Sequence, residues 1–265
     1  MSTIITAVVS VTALGLICAV ALTVASKLMA VPVDERLGAV RARLPGANCG
    51  ACGYSGCDGY ALALVDDDAE LNLCSPGGEE TIKQLVIVLG KESASAVKKA
   101  AVVHCMGDLE TVRKKLEYNG IQTCDAARRL FGGESACSFG CVGLGDCAAA
   151  CLYDAICVQN GLAHIDPRKC VGCGHCVKAC PNALISVEQY SGTKAAVLCM
   201  NTEKGAALKD KCGKGCIGCM RCVKECPSGA VAVSDFLAKI DDGKCDGCGK
   251  CAAVCPKGCI VLVES

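Results

Sequence analysis

Cys245-Asp246-Gly247-Cys248-Gly249-Lys250-Cys251-Ala252-Ala253-Val254-Cys255-Pro256 is the stretch that decides how this chain folds. Its spacing, Cys-x2-Cys-x2-Cys-x3-Cys-Pro, is the run by which a short loop holds a [4Fe–4S] cluster. Three thiolates on one tight loop can each cap an iron at a different corner of a cubane. Gly247 and Gly249 let the loop turn and bring backbone N–H groups near sulfur. Pro256 has no N–H with which to form a competing backbone bond. Cys170-Val171-Gly172-Cys173-Gly174-His175-Cys176-Val177-Lys178-Ala179-Cys180-Pro181 repeats the run 75 residues earlier. Structural zinc fits it poorly, because zinc takes four ligands, usually two from each of two separated knuckles.

The repeat extends outward from these runs. Cys124, Cys137, Cys141, Cys147 and Cys151 map onto Cys199, Cys212, Cys216, Cys222 and Cys226 at the same offset, and Gly140, Gly143 and Asp166 onto Gly215, Gly218 and Asp241. A fixed period of this kind means one structural unit present twice. In two-cluster units the fourth cysteine of a run serves the other cluster. In the second unit this groups Cys216, Cys219 and Cys222 with Cys255, and Cys245, Cys248 and Cys251 with Cys226. In the first, Leu144 stands where Cys219 stands in the second. The expected sets there are Cys137, Cys141 and Cys147 with Cys180, and Cys170, Cys173 and Cys176 with Cys151. Cys212, equivalent to Cys137, competes with Cys219 for a ligand position; the standard spacing favours Cys219.

Upstream lies a different module, Cys49-x2-Cys52-x4-Cys57-x16-Cys74, in the glycine-rich segment Asn48-Cys49-Gly50-Ala51-Cys52-Gly53. Four thiolates and no fifth fit one [4Fe–4S] cluster; zinc is the rival. The expected total is 20 ligands and five clusters. Seven cysteines remain: Cys18, Cys105, Cys124, Cys157, Cys199, Cys212 and Cys259. Cys18 reads as membrane packing, Cys157 and Cys259 as small apolar residues on strands. Cys105, Cys124, Cys199 and Cys212 read as alternative ligands or redox thiols, without a decision between them. His104, His164 and His175 are expected to be surface or hydrogen-bonded residues rather than ligands.

The chain has 265 residues, 27 cysteines, no tryptophan and three phenylalanines, too few aromatics for a conventional large core. An odd cysteine count and clustered Cys-x2-Cys spacing argue for metal over disulfides. A net charge of zero with no long basic block gives no footprint for nucleic acid. No dinucleotide fingerprint or phosphate loop is present. Ile4 to Ser26 carries no charge; as a helix it would span ~35 Å, enough for a bilayer core of about 30 Å. It is too long for a signal-peptide core and lacks a basic residue before it. Lys27, Arg36, Arg41 and Arg43 follow it, which places the body in the cytoplasm.

The expected fold is α+β. Its parts are a transmembrane anchor (1–26), a linker (27–45), a single-cluster module (46–80), a helical and loop segment (81–123) and two tandem dicluster units (124–190 and 199–265). A helix is expected over Glu79 to Gly90, ended by Gly90. Short strands are expected at Ala155 to Val158, Ala183 to Val187, Ala230 to Val233 and Cys259 to Val263.

A membrane helix, then Leu44-Pro45-Gly46-Ala47-Asn48-Cys49-Gly50-Ala51-Cys52-Gly53, then two such units resembles the B subunits of the Rnf complex over essentially the whole chain. The segments from Cys137 to Cys147 and from Gly215 to Cys219 resemble the longer form, with two bacterial ferredoxin-like units. The resemblance implies a single-pass, iron–sulfur electron-relay subunit of an ion-translocating ferredoxin:NAD⁺ oxidoreductase in the cytoplasmic membrane. It implies soluble ferredoxin as donor and other membrane and peripheral subunits as partners, with nicotinamide and flavin sites on those subunits. Two rivals are a related complex that reduces a redox-sensing regulator and a zinc-bound structural or assembly scaffold.

Overall fold

A computed structural model describes residues 2–28, 34–91, 95, 98–189 and 192–263. Helix α1 (Ser2–Leu28) is the apolar segment. Its stretch Ile4–Lys27 is long and apolar enough to cross a membrane, and none of it is buried against the protein. The hydroxyls of Thr6, Ser10, Thr12 and Thr23 each donate to a carbonyl four residues back. No hydroxyl in that group is left needing water, as a lipid-facing helix requires.

Three helices build the first module: α2 (Glu35–Arg43), α3 (Cys57–Val65) and α4 (Gly78–Leu89). Asp34 caps α2 by accepting from Arg36 N at 2.8 Å. The α4 helix ends as its sequence predicts, on Gly90 in the left-handed conformation (φ 65°). Val40, Tyr60, Leu64 and Leu85 are buried together, at roughly 1.5–3 kcal/mol for each large apolar side chain. The Tyr60 hydroxyl is satisfied by the Glu70 carbonyl at 2.6 Å.

The first dicluster unit comprises β1 (Lys99–Val103), α5 (Cys124–Arg129), α6 (Asp146–Ala149), β2 (Ile156–Gln159), β3 (Leu162–Ile165), α7 (His175–Ala179) and β4 (Ile185–Gln189). The second comprises β5 (Lys194–Val197), α8 (Gly205–Lys209), α9 (Arg221–Glu225), β6 (Val231–Ser234), β7 (Leu237–Ile240), α10 (Lys250–Ala253) and β8 (Ile260–Val263). In each, the first strand pairs antiparallel with the last, β1 with β4 and β5 with β8. Hairpins β2–β3 and β6–β7 complete the units. The four predicted strands appear as β2, β4, β6 and β8, shifted by one or two residues. Their partners β1, β3, β5 and β7 are additions.

The strand β1 corrects two expectations. It lies within the expected helical and loop segment, and its pairing with β4 starts the first unit at residue 99 rather than 124. Likewise β5 starts the second unit ahead of 199. Lys99-Ala100-Ala101-Val102-Val103 is a strand because it has a distant edge to pair with, which local composition does not reveal.

All four sheets among the described residues are two-stranded, an arrangement that is marginal alone in water. The buried core of the first unit is small and includes the ligand candidates Cys147 and Cys176 beside Ala101, Ala163 and Ile185. Close backbone approach substitutes for bulk. At Gly172 (φ 65°) an added Cβ would stand 2.8 Å from the Lys99 carbonyl oxygen, and at Gly247 (φ 71°) 2.1 Å from that of Thr193. Each cysteine loop therefore presses against the start of its unit's first strand, and only glycine permits it.

Candidate metal centres

All 27 cysteines are free thiols, and the fold gathers most of them into fours. In the second unit, Cys216, Cys219, Cys222 and Cys255 line one cavity with about 340 Å³ of empty space, with Cys259 as a fifth cysteine in its wall. Cys251 has Cys245 and Cys226 as thiol neighbours, with Cys248 on the same loop as Cys245 and Cys251. These groupings are compatible with the crossed arrangement expected from the spacing, and Cys219 rather than Cys212 lines the cavity with Cys216 and Cys222.

In the first unit, Cys151, Cys170, Cys173 and Cys176 line a cavity with about 310 Å³ of empty space. Its partner set differs from expectation. The cavity of about 400 Å³ beside it is lined by Cys124, Cys141, Cys147 and Cys180. Cys137 is not among them; it lines a separate cavity. Cys124 fills the place left by Leu144. It opens α5, a helix capped by the Thr123 hydroxyl, which accepts from Ala126 N. Asp146 Oδ1 accepts from Cys124 N at 2.8 Å and fixes the helix against the cluster loop.

In the upstream module Cys74 is surrounded by Cys57, Cys52 and Cys49. Asn48 Oδ1 accepts from Cys57 N at 2.8 Å and closes that loop. The module docks on the first unit. Ser75 donates to the Val171 carbonyl at 2.7 Å, Lys178 Nζ to the Cys49 carbonyl at 3.4 Å. Cys49, Cys151 and Cys170 are thiol neighbours of Cys173.

Burial governs the thiols. It pushes Cys74 and Cys176 up to about 11 and Cys147 up to about 12, with neighbouring thiols adding to the rise. Protons therefore hold these sulfurs until a metal displaces them. Backbone N–H groups are already aimed at the sulfurs: Ala101 N at Cys170 (3.3 Å), Ala155 N at Cys151 (3.4 Å) and Leu184 N at Cys180 (3.4 Å). Such donors stabilise negative sulfur and tune a cluster's potential. His175 Nδ1 lies 3.3 Å from Cys173 Sγ, a hydrogen-bonding position beside the set.

A cubane and a single ion call for different donor spreads. Four thiolates on zinc, at about 2.3 Å each, must approach one another to about 4 Å. Among the described residues no three Cys, His, Asp or Glu side chains converge to hold one ion. Cysteines that share a cavity without converging fit a cluster in which each sulfur caps a different iron.

Spacing misled at one point. Cys124 and Cys199 coincide at the 75-residue offset, but the strands align Cys105 with Cys199. The signal lay in a second near-repeat, Lys99-Ala100-Ala101-Val102-Val103-His104-Cys105 against Lys194-Ala195-Ala196-Val197-Leu198-Cys199. Cys157 lies on a strand and is exposed. Cys259 is buried ahead of β8, with its sulfur 3.6 Å from Cys255 Sγ.

Known proteins match the same regions. Residues 44–76 match a family described as "Putative Fe-S cluster", and residues 169–230 and 215–260 match two families described as 4Fe-4S dicluster domains. The match over 169–230 joins runs that are adjacent in sequence but belong to different folded units. Over 232 residues the chain is 40% identical to the B subunit of the Na(+)-translocating ferredoxin:NAD(+) oxidoreductase complex of Acetobacterium woodii, covering 87% of this chain and 69% of that one. It is 38% identical to the B subunit of the ion-translocating oxidoreductase complex of Methanosarcina acetivorans, covering 88% of each. It is 40% identical to the B subunit of the proton-translocating ferredoxin:NAD(+) oxidoreductase complex of Clostridium ljungdahlii, covering 92% of this chain and 87% of that one.

Proposed function

Because this chain belongs to the family of B subunits of ion-translocating ferredoxin:NAD⁺ oxidoreductase complexes, we propose that it accepts electrons from soluble ferredoxin and relays them to membrane subunits. It is an iron–sulfur electron-transfer component of a multi-subunit, ion-translocating oxidoreductase.

Five sets of thiolates would hold [4Fe–4S] clusters: Cys49, Cys52, Cys57 and Cys74; Cys151, Cys170, Cys173 and Cys176; Cys124, Cys141, Cys147 and Cys180; Cys216, Cys219, Cys222 and Cys255; Cys226, Cys245, Cys248 and Cys251. The clusters supply one-electron chemistry. The chain spaces them, buries them and directs N–H groups at their sulfurs.

The observation that carries the direction of flow is that the second unit exposes thiols. Cys219 and Cys248 are both exposed, on a segment from Asn201 to Ser265 with ten basic and eight acidic residues. An exposed sulfur with a slight basic excess suits an acidic one-electron donor. At the other end of the chain is the module that follows the apolar helix. The apolar helix fits a single-pass anchor, and the basic residues after it fit a cytoplasmic body.

The test is co-purification from native membranes followed by ferredoxin-driven NAD⁺ reduction. The expected result is a multi-subunit complex that reduces NAD⁺ and loses that activity when Cys248 is replaced by Ala. A complex indifferent to ferredoxin would defeat the reading. The pumped ion needs its own measurement, since sodium- and proton-named relatives are equally similar to this chain.

A further inference from the structure

The cysteines left over after these five sets are not scattered. Cys105, Cys137, Cys199 and Cys212 line one cavity with about 340 Å³ of empty space. The cavities of three other sets have about 310 to 400 Å³ of empty space. Cys137, Cys199 and Cys212 are buried and Cys105 is half-buried.

They form two equivalent pairs, one from each unit. Cys105 stands two residues beyond the end of β1, and Cys199 two residues beyond the end of β5. The preceding residues are equivalently bonded: His104 N donates to the Leu184 carbonyl and Leu198 N to the Cys259 carbonyl, both at 2.7 Å. Cys141 N donates to Cys105 Sγ at 3.4 Å, and Cys216 N donates to Cys199 Sγ at 3.3 Å. Cys137 and Cys212 each stand four residues ahead of those donors. Each unit thus contributes one thiol after its first strand and one from the loop before its first cluster run.

The surroundings are those of negative sulfur. Beyond Cys141 N and Cys216 N, Gly107 N donates to Cys105 Sγ at 3.4 Å. Asn201, only 1% exposed, donates its Nδ2 to Cys137 Sγ at 3.4 Å. Four N–H donors on three sulfurs would be superfluous if these thiols were apolar filler; they are what a cluster's thiolates receive. The contact between units is itself fixed around the cavity. His104 Nδ1 donates to the Val197 carbonyl at 2.9 Å, Arg113 N to the Lys211 carbonyl at 3.0 Å, and Gly213 N to the Thr111 carbonyl at 2.8 Å.

We infer that Cys105, Cys137, Cys199 and Cys212 hold a sixth [4Fe–4S] cluster, which bridges the two dicluster units. It rests on the reading of the other five sets as cubane sites. It sits beside the first unit's inner set through Cys141 and beside the second unit's through Cys216. The six sets then form one series, from the set with Cys248 to the module at Cys49, with no gap between the units.

The experiment is metal and sulfide analysis of the anaerobically purified full chain, with Mössbauer spectra to count cubanes. The expected content is about 24 irons, four per cluster. Replacing Cys212 by Ala is expected to remove about four irons and one cubane component, and replacing Cys57 by Ala another four. Cys157→Ala is the control and leaves the count unchanged. A wild-type count of about 20 that drops on Cys57→Ala but not on Cys212→Ala would overturn the inference and leave the five-set reading intact. About 20 irons with one zinc would overturn it in favour of a single ion. A chain that binds no iron would end both readings. If Cys212→Ala does not fold, the wild-type count and its Mössbauer spectrum still decide.

Discussion

The two dicluster units share a strand order, yet the thiols that line their inner cavities come from different places. In the second unit Cys219, on the loop itself, lines that cavity with Cys216 and Cys222. The first has Leu144 there and brings Cys124 from outside the run. The source is an insertion: 31 residues separate Cys105 from Cys137, whereas 12 separate Cys199 from Cys212. The longer segment carries α5 and also bonds across to Lys211, Cys212 and Gly213 of the inter-unit contact. A repeat can therefore keep its cofactor while exchanging the origin of a ligand, provided some element fixes the new thiol as firmly as the old loop did.

The comparison can be broken most directly at Cys124. Cys124→Ala is expected to cost one full cluster, about four irons per chain, measured by iron analysis. Adding Leu144→Cys to that variant is expected to restore them, because it rebuilds the second unit's loop in the first. If the double variant stays depleted, the two loops are not equivalent. In the second unit, Cys219→Ala is expected to lose the same four irons. Here Cys199 cannot substitute, since its Sγ is engaged by Cys216 N in another cavity; a full iron count in Cys219→Ala would show that it can.

A smaller effect is expected at Cys259, whose counterpart in the first unit is Leu184. The Cys259 Sγ lies 3.6 Å from Cys255 Sγ, and a proton kept on Cys259 is donated to that sulfur once Cys255 is ionised. Cys259→Leu removes a hydrogen bond that favours the more negative, reduced cluster. One cluster's potential is expected to fall, by tens of millivolts for a bond of about 1 kcal/mol at about 59 mV per tenfold. Redox titration followed by EPR reads it, and an upward shift would contradict the donor assignment. The smallest effect concerns acid. The Cys147 thiol is pushed up to about 12 by burial, whereas the Ser228 hydroxyl holds Cys226 below the ordinary thiol range. A raised value keeps the proton on as pH falls, so protons compete with iron sooner at Cys147. The set containing Cys147 is expected to release iron at a higher pH than the set containing Cys226, and the reverse order in a pH series would refute this.

Much of the molecule was legible in the sequence. The regular runs marked three of the cluster loops, because a thiolate triplet on one loop is a local property. The apolar helix and the Gly90 stop are local too. What escaped was non-local. β1 and β5 are strands only because β4 and β8 lie beside them. Cys124 belongs to a set only because an insertion folds back. Cys105 aligns with Cys199 through strand register, while counting residues aligned Cys124 with it instead. Asn201 gave no signal, being one polar residue whose partner, Cys137, lies 64 positions away.

The inter-unit cavity has a consequence for biosynthesis. A domain usually folds as it leaves the ribosome, N-terminal parts first. Here the ligand sets close in sequence with Cys74, then Cys176, Cys180, Cys212, Cys251 and Cys255. The bridging pocket has all its thiols as soon as Cys212 has emerged, before either set of the second unit is whole. A nascent chain halted just past Cys212 would already own the joint to a unit not yet made. Iron delivered during translation would meet that joint third from last, and the second unit would be assembled on a support already in place.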